Sequence, residues 1–323
     1  MGKGHSLKSG DEFAGVTLEF EGVFSNSPEV RITQKKYTLE ELPEPVWARK
    51  APTPLPVTLA HRDYEQEKKL NAAEHKAYRG MIGKLLWLAN TTRPDLAYAA
   101  AYLSRTLAAP TDRDFQLADR CIAYAKSTAN YCLIIPKINW DEASLTVISD
   151  ASWAAPRDDY KSQAGYLVLL HDKTHCGLLT WKSTMLRKMA GSSMASECCA
   201  AQSAWQMGLH LRALINGMVP GKQLQLRCTT DNDDLYKAVK IRKHSVPKDR
   251  SLTLSVYILR ECADLDKVNL NFVPGLSNPA DALTKPMSSR DTLIKLMEGE
   301  AANLGQEADP LGPQREAKRN AQQ

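Results

Sequence analysis

The hydrophobic period of this chain changes at about Asp141, and that change limits what each half can become. Before it the period is helical. Tyr78, Met81, Ile82, Leu85, Leu86 and Leu88 recur at three- and four-residue steps from about Ala72 to Asn90, and Arg93-Pro94-Asp95 restarts a second helix. A third begins at Thr111, a good N-cap, with Asp114 at the capping-box position and Phe115, Ala118, Ile122 and Ala125 on one face. After Asp141 the runs become short and β-rich. Leu145 to Ser149 leads directly into Asp150, and Gly165 to Leu170 and Gly177 to Trp181 follow as two more strands joined by a polar turn. A long helix from Ser193 to about Asn216 is bounded by a serine cap and by Gly217. A fourth strand, Leu224 to Thr229, then leads to Asp231. Reached through a helix, it is expected to lie parallel to its neighbour. A helix at Leu254 to Cys262, a fifth strand at Val268 to Val273 and a helical turn at Pro279 to Leu283 complete the pattern. The expected fold class is α/β, a five-stranded mixed sheet with flanking helices.

Ahead of the helices, Val16 to Phe20 and Val30 to Thr33 read as a small hairpin. Pro43, Pro45, Pro52, Pro54 and Pro56 then remove amide donors and fix φ, so 43–56 is expected to be an extended linker. The expected organisation is a segment of residues 1–140, a domain of residues 141–290, and a disordered polar tail, 291–323. Hydrophobic residues at 43% and charged residues at 24% describe an ordinary globular mixture. No run approaches eighteen apolar residues, and Met-Gly-Lys-Gly-His-Ser leads into charge without an apolar stretch, so neither a membrane span nor secretion is expected. The seven cysteines contain no Cys-x-x-Cys pair, which reads as reduced thiols in an intracellular protein, cytoplasmic or nuclear.

Four carboxylates carry the chemistry. Asp150 and Asp231 each end an expected strand, and the two strands, if adjacent and parallel, deliver both to one edge of the sheet, where ligand sites form in open α/β folds. Glu197 lies one turn into the long helix, and Asp281 opens the last helical turn after Asn278-Pro279-Ala280. Such a cluster repels itself without divalent cations. Oxygen-only ligation selects Mg2+, with Mn2+ as substitute, over zinc, and two ions suit in-line hydrolysis of a phosphodiester. Each acid taken alone also has a plain structural explanation, as a turn residue, a cap or a partner of the helix dipole. The set and its order form the signal.

Between residues 237 and 250, Lys237, Lys240, Arg242, Lys243, Lys248 and Arg250 face only Asp249. This is either a solvated helix face or a track for phosphates. With Lys182, Arg187 and Lys188 after the third strand, Lys240, Arg242, Lys243 and Arg250 are the expected nucleic-acid contacts. The net charge of +5 is too modest to decide between them. Trp153, Trp181 and Trp205 read as core residues before base-stacking platforms, and Cys198 and Cys199 as buried packing residues.

The sequence resembles the C-terminal part of a copia-type retrotransposon Pol polyprotein over roughly residues 10 to 290. Ile32-Thr33-Gln34-Lys35-Lys36-Tyr37, Tyr78 to Ala89 and Thr92-Arg93-Pro94-Asp95-Leu96-Ala97-Tyr98 resemble the family's segment after the polymerase palm. Ser149-Asp150-Ala151-Ser152-Trp153-Ala154, Thr180-Trp181-Lys182-Ser183 and Ala280-Asp281-Ala282-Leu283-Thr284-Lys285-Pro286 resemble its ribonuclease H domain. The resemblance implies a thumb- or connection-like end of a reverse transcriptase followed by a ribonuclease H fold. It further implies metal-dependent cleavage of the RNA strand of an RNA/DNA hybrid during reverse transcription, with Asp150, Glu197, Asp231 and Asp281 catalytic and metal-binding. The implied partners are the hybrid and a separate fingers and palm polypeptide, and the implied setting is a cytoplasmic particle or the nucleus. Ser152 and Ala195 stand where the family usually has acids, and Arg250-Ser251 where it has Lys-His. The polymerase signature Tyr-x-Asp-Asp is missing, so polymerase activity is not expected. Two other readings compete: a decayed or domesticated fragment that binds nucleic acid or a partner chain without cleavage, and an integrase or transposase, against which stands Asp281 in its Ala-Asp-Ala-Leu-Thr-Lys-Pro context.

Overall fold

A computed structural model describes residues 8–22, 28–47, 50–59, 62, 65–153, 161–241, 247, 249–287 and 289–300. The chain forms two compact units, one of residues 1–138 with 175–178 and 285–300, the other of residues 139–174 with 179–284.

The first unit starts with strands β1 (Asp11–Phe13), β2 (Val16–Glu21) and β3 (Glu29–Thr33), followed by helix α1 (Lys35–Glu40). Helices α2 (Ala72–Thr91), α3 (Ala97–Ser104) and α4 (Asp112–Ser127) lead to strand β4 (Leu133–Pro136). The expected hairpin is β2 against β3, but it sits inside a four-stranded antiparallel sheet in the order β1-β2-β3-β4. Only three apolar residues announce β4. Its partner lies about a hundred residues upstream, so local pattern carried no sign of it.

Tyr78, Ile82, Leu85 and Leu88 of α2 pack with Ala118, Ile122 and Ala125 of α4, and Thr111 with Asp114 forms the capping box that starts α4. The proline-rich segment differs from the expected linker. Ala51 and Leu55, between the prolines, and Leu59, just after them, are buried in this helical core and hold the segment down. Arg93 is buried, paired at 2.8 Å with Asp95, and bonded to the Thr128 carbonyl at 3.1 Å. The expected disordered tail also needs correction at its start. Asp291–Met297 is a helix with Leu293, Leu296 and Met297 buried, an apolar spacing too short to stand out among polar neighbours. Residues 301–323 of that tail lie outside the described residues.

The second unit contains β5 (Ser144–Ser152), β6 (Gln163–His171), β7 (Cys176–Met185), α5 (Ser193–Met218), β8 (Gln225–Thr230), α6 (Asp233–Lys240), α7 (Arg250–Leu265) and β9 (Val268–Phe272). Its mixed sheet has the order β7-β6-β5-β8-β9. β5 runs antiparallel to β6 and parallel to β8, and β8 runs parallel to β9. The first and fourth strands of this sheet are therefore neighbours, and β8, reached through α5, lies parallel to β5 as expected. This is a ribonuclease H-like α/β sheet. Every position of β6 is buried, as in a strand covered on both faces. α5 lies against β5, β6 and β8 with Ala200, Ala201, Ala204 and Gly208 on its buried side. A Cβ at Gly208 would come within 2.6 Å of Val147 Cγ2, so only glycine allows this approach. Among the described residues, no helix is long and apolar enough to cross a membrane.

Candidate metal and nucleic-acid site

Each acidic side chain is delivered by a different element. Asp150 is the seventh residue of β5, opposite Gly165 of β6. β5 continues to Ser152, two residues beyond the acid that was expected to end it. Asp231 directly follows β8. Asp281 is central in a short 3-10 turn, Pro279–Leu283, which lies against β5 and β6. Two devices seat that turn. A Cβ at Gly165 would be 2.6 Å from Leu283 Cβ, so the missing side chain makes room for the turn on the sheet. Asn278, itself buried, accepts from the Ala280 amide at 3.0 Å and donates to the Ser149 carbonyl at 3.2 Å, one residue before Asp150.

Together these place one carboxylate oxygen from each of Asp150, Asp231 and Asp281 within 4.8 Å of the other two. Asp150 and Asp281 are buried and Asp231 is half-buried. Like charges at this spacing oppose one another strongly, and the donors are all hard oxygens, a set that fits Mg2+ or Mn2+. Glu197 stands outside this trio. Buried in the first turns of α5, it accepts the Ala151 amide through Oε1 at 3.2 Å, which ties it to the β5 backbone next to Asp150. A side chain at position 275 would meet Asp231 Oδ2, since a Cβ there falls 3.2 Å from it.

Of the basic residues, Lys182 is exposed on β7, and Arg187 and Lys188 are exposed between β7 and α5. Lys240, at the end of α6, and Arg250, at the start of α7, are also exposed, and Lys240 donates to the Leu270 carbonyl at 3.3 Å. Arg242 and Lys243 lie outside the described residues. The tryptophans divide. Trp181 and Trp205 are buried as expected, whereas Trp153 is 49% exposed, and its indole nitrogen donates to the Ala190 carbonyl at 2.9 Å. Trp153 is three residues past Asp150, just beyond the end of β5, and that position was the available sign that it differs from the other two. All seven cysteines are free thiols, and burial pushes Cys198 up to about 12, so it stays protonated and serves packing.

The side chains that support the acids were not read from sequence. Thr284, Ser183, Gln163 and Asn278 surround the trio's supporting turn, and Thr284 hydrogen-bonds Asp150 Oδ2. The signal available was their place inside the Thr180 to Ser183 and Ala280 to Pro286 strings.

No family model matches the chain. The retrovirus-related Pol polyprotein from transposon RE1 of Arabidopsis thaliana is 32% identical over 170 residues, covering 52% of this chain and 11% of that protein. The Pol polyprotein from transposon TNT 1-94 of Nicotiana tabacum is 26% identical over 222 residues, 68% of this chain and 16% of that protein. The chain thus spans a small part of these relatives' length. Among solved structures, the ribonuclease H1 named LC11, isolated from compost, aligns with 44% of this chain and 92% of its own at 14% identity, with a TM-score of 0.33. At that score the likeness carries no argument, and the fold stands on the strand order. In sequence the chain is thus similar to a part of the retrovirus-related Pol polyproteins of two plant transposons.

Proposed function

We propose that residues 141–290 act as a ribonuclease H, cutting the RNA strand of an RNA/DNA hybrid during retrotransposon reverse transcription. The observation that carries this reading is the gathering of Asp150, Asp231 and Asp281 within 4.8 Å from three separate elements of a mixed α/β sheet. Carboxylates arranged so closely at the end of a sheet do nothing for stability alone, whereas they fit a pair of divalent cations. When bound, the cations supply an activated water and neutralise charge at the phosphodiester. The chain supplies the rest. Asp150, Asp231 and Asp281 hold the ligand geometry, and Glu197 completes the acidic wall from α5. Lys182, Arg187, Lys188, Lys240, Arg242, Lys243 and Arg250 contact backbone phosphates, which set affinity without reading sequence. Residues 1–140 serve as the end of a reverse transcriptase, working with a fingers and palm polypeptide.

A hybrid carrying a labelled RNA strand tests this directly. Purified protein in Mg2+ or Mn2+ should release internal RNA fragments, chelation with EDTA should stop release, and the DNA strand should stay intact. An unchanged RNA strand in both metals would overturn the reading.

A further inference from the structure

Resting on that reading of the acidic trio, we propose that Thr284 is a positioning residue for it, orienting the Asp150 carboxylate that the cations require. Thr284 is 1% exposed, and its hydroxyl hydrogen-bonds Asp150 Oδ2 from 134 residues away in sequence. A threonine ending a helical turn commonly bonds only to its own backbone, and Thr284 Oγ1 does lie 3.2 Å from the Asp281 carbonyl. Its single proton cannot serve both acceptors fully, and the anionic oxygen is the stronger one. The hydroxyl therefore fixes one oxygen of an Asp150 carboxylate that belongs to the trio.

The position of Thr284 is set in turn by side chains of β6 and β7. Gln163 Nε2 donates to Ser183 Oγ at 2.7 Å, and Ser183 Oγ donates to the Leu283 carbonyl at 2.6 Å. The Thr284 amide closes the turn onto the Asp281 carbonyl at 3.1 Å. Thus one chain of bonds runs from β6 through β7 into the 3-10 turn and ends on the ligand in β5. It links Thr180-Trp181-Lys182-Ser183 to Ala280 to Pro286, two strings that otherwise share no task. Partners that orient a metal ligand typically matter by a factor of about 10–100 in metal affinity.

The test is Mn2+ binding by the full chain, followed by calorimetry and by the loss of the free-ion paramagnetic resonance signal, beside thermal melting without metal. Thr284→Val should bind Mn2+ about 10–100-fold more weakly than wild type with an unchanged melting temperature. Thr284→Ser, which keeps the hydroxyl, should restore binding, and high Mn2+ should restore hybrid cleavage by Thr284→Val. Ser183→Ala leaves Thr284 in place and should weaken binding in the same direction by a smaller factor. Wild-type affinity in Thr284→Val, with binding lost in Asp231→Asn, would overturn the positioning role and leave the cation site standing. Should Thr284→Val fail to fold, wild-type affinity in Ser183→Ala overturns the proposal. A wild-type chain that binds no Mn2+ removes both the functional reading and this inference.

Discussion

Asparagine at position 231 keeps the shape of aspartate and one oxygen donor while deleting a negative charge from a trio spaced within 4.8 Å. Asp231→Asn should therefore lose hybrid cleavage, by a factor of about 100 or more, because a doubly charged ion is held by ligand charge. Hybrid binding should persist or tighten slightly, since affinity comes from basic side chains and one acidic neighbour of the phosphates has gone. Gel-shift and cleavage measurements on the same preparation check both halves, and wild-type cleavage would remove Asp231 from the chemistry. Trp153 makes a second expectation. Its indole N–H is already spent on the Ala190 carbonyl, and the residue is 49% exposed three positions after Asp150. Trp153→Ala should weaken hybrid binding by about 1–3 kcal/mol, the usual worth of a base stacked on an aromatic ring, and an unchanged affinity would make it a surface residue only. Residue identity announced the acids because carboxylates after strands are chemically conspicuous. It hid Thr284 and Trp153, whose roles depend on which side chains the fold sets beside them.

At the scale of elements, Gly165 shows how a missing side chain places a functional turn. An added Cβ would meet Leu283 Cβ at 2.6 Å and Thr284 Cγ2 at 3.0 Å, and neither atom is the free end of a flexible chain. Gly165→Ala should lower stability by about 1–3 kcal/mol in urea unfolding through overpacking. It should also weaken Mn2+ binding, because the turn that carries Asp281 is pushed off the sheet. Unchanged stability and metal affinity would show that the turn shifts without consequence. In the first unit, Asp95 is buried and bonded to Arg93 through Nε at 2.9 Å as well as Nη2, with the guanidinium near the rings of Tyr124 and Tyr131. Asp95→Ala leaves that cation buried without its counter-charge and should cost about 3–5 kcal/mol, read by the same unfolding experiment. Strands and helices whose apolar spacing repeats several times, such as α2, α4, β5 and β6, were legible from the sequence. β4 and the Asp291–Met297 helix were not, because one depends on a distant partner and the other is too short to display a period.

For the whole molecule, residues 1–70 are the part whose role changes most between sequence and fold. Five prolines there mark a connector, yet Leu42, Leu55 and Leu59 are 3%, 0% and 5% exposed in the helical core of the first unit. Arg62, 5% exposed, bonds Asp114 through Nη1 at 2.6 Å and Nη2 at 2.9 Å, and Asp114 is itself fully buried at the start of α4. β3, the partner of β4, lies in the same stretch. Deleting residues 1–70 therefore removes three buried leucines, each worth about 2–5 kcal/mol. It also strands a buried carboxylate, at a further cost of about 3–5 kcal/mol. These losses match or exceed the whole stability of an ordinary domain, about 5–15 kcal/mol, so the first unit should unfold. The second unit draws its described residues from 139–174 and 179–284 and takes none from the deleted stretch. Circular dichroism of the chain lacking residues 1–70 should show the helical signal of α2 to α4 lost while Mn2+ binding at the acidic trio persists. Retention of the full helical signal would return 43–56 to the status of a linker. Loss of Mn2+ binding together with the helices would mean that the metal site depends on the first unit being folded.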